Sequence, residues 1–231
     1  MKINQVKELL LANIDLKYKL FQEKLIDTKN VILGVRMPIL VQIAKQIYMN
    51  NYTEFILEND YSSYELIILQ ALVIGKIKNI NETCSYLDEF INHIDCWASN
   101  DTLCTHLKII KTNQEVFLNY LSKYFNSKEE FIQRFVVVIL MMYYLDEKYV
   151  DLAISIVEKI NSTKYYSMMS ISWFITTLIS KRKDIGIDYL KNTRHNAFIV
   201  NKAISKCRDS YLIDNDTKIS LLTLKRKEKE N

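Results

Sequence analysis

Trp97 and Asp101 stand four residues apart, a spacing that puts both on one face of a helix. Cys104 and Lys108 continue that face. An indole ring attracts cations over its π-face, and a carboxylate beside it can stabilise developing positive charge or hold a water. Arg134 is the only charged residue between Glu130 and Asp146. A guanidinium in so apolar a stretch must be paired, or must face a groove or a ligand, and phosphate is a ligand it suits. Trp173, the only tryptophan besides Trp97, lies midway along the uncharged run Tyr165 to Ser180. Trp97, Arg134 and Trp173 follow one another at intervals of 37 and 39 residues. Simpler roles are available to each. A tryptophan on a buried helix usually packs a core, and Asp101 can cap a helix or pair with Arg134.

Helices must position these groups. The chain has 231 residues, of which 3 are Gly and 1 is Pro. Sheet folds need those residues at most tight turns, so sandwiches, barrels and doubly wound sheets are excluded. Gly34, Gly75 and Gly186 lie too far apart for a glycine-rich phosphate loop. The apolar periodicity predicts helices over 4–13, 16–27, 37–49, 53–59, 62–75, 81–92, 95–111, 113–125, 127–145, 147–160, 162–179, 184–191, 195–210 and 216–227. Met37-Pro38 opens the third, where proline's missing N–H costs nothing. Ser62 with Glu65, and Ser127 with Glu130, have capping-box form. Asp95 and Ser162 or Thr163 are further cap candidates, and Gly75 is a stop signal. The long apolar helices start near 62, 95, 127 and 163, with a shorter, more polar helix between each pair. This is the mark of stacked antiparallel helical hairpins in one domain over 1–225, curved so that one helix per repeat lines a concave groove. Residues 226–231 read as a frayed basic tail.

Formal net charge is +4, a mild bias towards anionic partners. Lys76, Lys78, Lys108, Lys111, Lys202 and Arg208 fall at or near helix ends. Cys84, Cys96, Cys104 and Cys207 form no C-x-x-C pair, and Cys96, Cys104 and His106 match no common zinc spacing. No metal or cofactor is expected. His93, His106 and His195 read as ordinary, partly exposed residues. No apolar run reaches the about 20 residues of a membrane helix, and the polar start carries no secretory signal. The expectation is a cytoplasmic protein with free thiols.

Five strings in order resemble the AlkD-type DNA alkylation repair proteins: Leu33-Gly34-Val35-Arg36-Met37-Pro38; Ile94-Asp95-Cys96-Trp97 with Asp101; Phe131-Ile132-Gln133-Arg134-Phe135; Tyr165 through Trp173; and Asn201-Lys202-Ala203-Ile204-Ser205-Lys206-Cys207-Arg208. The likeness covers about residues 15–225. It implies an all-α superhelix of HEAT-like hairpins. It also implies a glycosylase that removes N3- or N7-alkylated purines from duplex DNA without burying the base in a deep pocket. Carried over by position, Trp97, Asp101 and Trp173 would be catalytic and Arg134 would bind DNA. Lys108, Lys111, Lys202 and Arg208 are the phosphate contacts expected beside them, and the protein is expected to act as a monomer. An N-alkylated purine is cationic and leaves readily, so the enzyme has chiefly to stabilise an oxocarbenium-like sugar and place a water. Asp101 suits both tasks. Two other readings keep the same fold: a DNA-structure binder without catalysis, and a protein-binding repeat scaffold.

Overall fold

A computed structural model describes residues 1–227. Among them are fourteen α-helices, three short 3-10 turns and no strand. The protein is an all-α helical repeat fold, as the glycine and proline poverty requires. The helices that recur with the expected period are α5 (Tyr64–Ile74), α7 (Trp97–His106), α9 (Glu130–Tyr143) and α11 (Tyr165–Lys181). They start at residues 64, 97, 130 and 165, one every 33 to 35 residues. Helices α6 (Ile80–Phe90), α8 (Gln114–Leu121) and α10 (Val150–Lys159) separate them. The expected alternation of long apolar and shorter polar helices fails at α7, which is shorter than α6 and carries Ser99, Asn100, Asp101 and Thr102 in its middle. Three further helices, α1 (Ile3–Leu11), α2 (Leu16–Leu25) and α3 (Met37–Met49), precede this series, with the short α4 (Tyr52–Glu58) after them. The chain closes on α12 (Lys183–Asn192), α13 (Ala197–Asp209) and α14 (Asn215–Leu222). No described helix is long and apolar enough to cross a membrane.

The chain divides into two compact units, Met1–Tyr120 and Leu121–Asn231. In the first, α5 is the centre. It is apolar on every side, and all its residues are buried, as a helix packed between α3 and α7 must be. In the second, α11 packs against α9, α12 and α13. Gly75 does end α5, but in right-handed geometry. Its lack of a side chain matters because a Cβ there would lie 2.5 Å from that of His106. Gly186 likewise lets α12 lie against the backbone of Ile179.

Several caps differ from the sequence expectation, for one recurring reason: the acidic side chains reach across the fold instead of closing their own helix. Ser63, not Ser62, caps α5, accepting from the Leu66 N–H. Asn79 caps α6. Glu65, the expected partner in a capping box, is fully buried and takes the backbone N–H groups of Leu33, Gly34 and Val35. Glu130 similarly accepts from the Tyr166 N–H at 2.6 Å, while Ser127 accepts from the Glu129 N–H. Asp95 does not cap α7, whose N-terminal residue is flanked by Cys96. Its Oδ2 instead accepts from the Thr28 hydroxyl, the Lys29 N–H and the Asn30 amide. Ser162 accepts from the Lys164 N–H, one residue before α11 begins.

His195 is buried rather than partly exposed. It lies 3.7 Å from a Glu158 oxygen, and Glu158 also accepts from Thr193 and Arg194. Burial, with Arg226 and Arg194 nearby, pushes the imidazole pKa down against the pull of Glu158. Arg226, read from sequence as the start of the tail, donates to the carbonyls of His195 and Thr193, both at 2.7 Å. Its backbone exchanges two hydrogen bonds with the Asn201 amide. The rest of that tail, 228–231, lies outside the described residues.

Candidate functional site

Trp97 and Asp101 project from one side of α7, as their spacing predicts. Both are half-buried, and both line a cleft of about 370 Å³. Across it stand Tyr18, Phe21 and Gln22 of α2, Met37 and Leu40 of α3, and Tyr64 of α5. The Asn100 amide donates to Asp101 Oδ1 at 3.1 Å, which restricts the carboxylate's rotation. Gln22 Oε1, buried on the cleft wall, has no hydrogen-bond partner. Burial raises the Tyr64 hydroxyl pKa far above its ordinary value, so Tyr64 brings no negative charge to the cleft.

From the string Leu33 to Pro38, Val35 and Met37 line the opposite wall. The Glu65 carboxylate gathers three successive N–H groups, and this charge-assisted cradle fixes the connector. Gly34 has φ +93°, and a Cβ there would meet that of Lys19 at 2.5 Å, so glycine is required on both conformational and packing grounds. Arg36 donates through Nε and Nη2 to Asp15 Oδ2, at 2.9 and 2.8 Å. Its guanidinium lies over the Tyr18 ring, 4.9 Å from the centroid. Asp15 caps α2 through the Tyr18 N–H, and that bond together with Arg36 holds its pKa below the usual carboxylate range. Pro38 stands in the first turn of α3, next to Met37.

In the second unit, the start of α11 is fixed to α9 by side chains. Arg134 is buried, and its Nη1 donates to the Tyr166 carbonyl at 3.1 Å. The Ser167 hydroxyl donates to Gln133 Oε1 at 2.8 Å. Further along, Ser172 and Thr176 each bond a carbonyl of α13, those of Ile199 and Ala203. Three hydroxyls in the uncharged run of α11, those of Ser167, Ser172 and Thr176, therefore join helices. Trp173 is half-buried and lines a second cleft of about 430 Å³, with Thr177, Ser180 and Lys181 of α11 and Lys206 and Asp209 of α13.

The structure thus joins Trp97 with Asp101, and places Trp173 beside Lys206. Lys202 is half-buried on α13, and Arg208 is exposed near its end. Lys108 and Lys111 are exposed on the 3-10 turn Lys108–Thr112, because α7 ends at His106 rather than near 111. Tyr18, Gln22 and Tyr64 were not singled out from sequence. They reach the Trp97 cleft from helices 33 or more residues away, and nothing in their local pattern marks them. Sequence reasoning gave Lys206 and Lys181 no role for the same reason. No cluster of three or more His, Cys, Asp or Glu side chains suited to a metal occurs among the described residues, and the four cysteines are free thiols.

Residues 6–207 match the family model described as DNA alkylation repair enzyme. No curated protein matches the sequence significantly.

Proposed function

The chain belongs to the DNA alkylation repair enzyme family, and on that premise we propose that it is a glycosylase releasing cationic N3- or N7-alkylated purines from duplex DNA. One observation carries the reading beyond the family: Asp101 lies on the same helix face as Trp97, in a cleft whose other walls bring no second carboxylate among the described residues. A cationic purine needs little help to leave. The step that needs help is charge build-up on the sugar as the C1′–N bond breaks, and a carboxylate stabilises that charge and orients the water that attacks C1′. The bond to Asn100 leaves the carboxylate acting from a defined position. The electron-rich rings of Trp97 and Trp173 attract a cationic base or sugar, each contributing about 0.5–2 kcal/mol according to desolvation. Arg134 holds the phosphate backbone, and the exposed Lys108, Lys111 and Arg208 with Lys202 add salt-dependent affinity for the same duplex.

The test is incubation with a duplex carrying 7-methylguanine, with free base measured by chromatography. The reading expects released 7-methylguanine and a matching abasic site. Tight binding without release would favour a DNA-structure binder, and absence of salt-dependent duplex affinity would favour a protein-binding scaffold.

A further inference from the structure

The Trp173 cleft contains two ammonium groups that the fold does not use. Among the described residues, neither Lys181 nor Lys206 makes a hydrogen bond or ion pair, and both line the cleft. Lys181 ends α11 in the open. Lys206 is half-buried on α13, with Lys202 one turn earlier on the same face.

Lys206 is held in a setting that disfavours its charge. Burial lowers its pKa most, and the nearby cations Lys202 and Arg134 lower it further, opposed by Asp209 alone. Asp209 lines the same cleft and offsets part of that lowering. A half-buried lysine among like charges is destabilised until an anion arrives. The remaining lining suits a tetrahedral oxyanion: the hydroxyls of Thr177 and Ser180 lie on the α11 side, one and two turns beyond Trp173. The Trp173 indole forms one boundary and offers a face on which a sugar or base can rest.

We infer that this cleft is a phosphodiester-binding site, in which Lys206 and Lys181 hold a backbone phosphate of the duplex while the adjoining nucleoside lies against Trp173. The assignment rests on the DNA-binding part of the function proposed above, and not on base release. It makes Lys206 a binding residue and gives Trp173 a place on the strand. It also accounts for a lysine standing inside a helical repeat where burial opposes its charge.

The experiment uses the full-length protein and an undamaged fluorescent duplex, with affinity measured by anisotropy over a range of NaCl concentrations. For each phosphate that the protein no longer neutralises, the slope of log affinity against log salt should fall in magnitude by about 0.9. K206M should therefore reduce the slope by about that amount, and K181M/K206M by close to twice as much. K206R, which keeps the charge, should restore the wild-type slope. A K206M slope equal to that of the wild type, in protein whose circular dichroism is unchanged, would refute the assignment. A second arm compares sodium phosphate with NaCl at equal ionic strength as competitor. Equal competition is expected for a backbone site, whereas displacement of the duplex by phosphate at far lower concentration would show a free-phosphate site instead. A wild type that binds this duplex with the expected slope but frees no base would sink the glycosylase reading and leave the cleft assignment intact.

Discussion

In the first unit, a tryptophan shares its cleft with one carboxylate and with aromatic and aliphatic side chains of three other helices. In the second, a tryptophan shares its cleft with two lysines, several hydroxyls and one aspartate. The two clefts are built on helices of the same repeating series, one in the second repeat and one in the fourth, yet they offer opposite charge. The Trp97 cleft favours a cation beside it. The Trp173 cleft favours an anion. A damaged strand carries both: a positive base on a negative backbone. The difference between the clefts divides the work between charge stabilisation at the sugar and grip on the phosphate.

Substitutions can separate these roles. The largest effect is expected for Asp101→Asn, which keeps the Asn100 amide in range but removes the charge. Single-turnover base release should slow by about 10²-fold or more, with duplex affinity within about twofold of wild type. A comparable rate would remove the Trp97 cleft from the chemistry. Glu65→Gln comes next. The neutral amide accepts more weakly than the carboxylate and brings two donors into a cradle of donors, so denaturant unfolding should show a loss of about 2–3 kcal/mol. Base release should suffer with it, while the share of the salt slope contributed by the second unit stays as in wild type.

That second prediction concerns a residue whose role local sequence rules misread. The hairpin period was legible, because α5, α9 and α11 are apolar and the helices of the series start every 33 to 35 residues. The shared face of Trp97 and Asp101 was legible too, since helical geometry fixes it. The caps were less so. Ser-x-x-Glu is a local pattern, but Glu65 gains three N–H donors from a connector 30 residues away, and Asp95 gains three donors from the loop after α2. Buried tertiary demand outweighed the local bond in both cases. Gln22, Tyr64 and Lys206 belong to clefts through packing between helices, which no spacing rule reports.

Smaller effects should distinguish the two tryptophans. Trp97→Ala and Trp173→Ala should each cost between about 2- and 30-fold in release, the range that a ring–cation interaction of about 0.5–2 kcal/mol implies. For Trp97→Ala the loss should fall on the single-turnover rate. For Trp173→Ala part of it should appear as weaker binding of undamaged duplex. Identical profiles for the two would remove the division of labour drawn here.

The smallest expected effect is one of pH and lies in the second unit alone. His195 has its pKa pushed below the ordinary 6.5 by burial, with Arg226 and Arg194 adding to it. The unfolded chain then binds the proton more readily than the folded one, so stability is full above about pH 6.5 and declines as pH falls towards the folded value. His195→Gln should make thermal stability flatter with pH over that interval. An unaltered slope would show that His195 does not carry the dependence.

The central claim is that the positive charge of the lesion supplies the leaving group and that Asp101 answers the charge passed to the sugar. Two duplexes test it, one carrying 7-methylguanine and the other its uncharged isostere 7-methyl-7-deazaguanine, with base release followed under single-turnover conditions. The account predicts release from the first and none from the second, at similar affinity for both. Release of both bases at similar rates would contradict it.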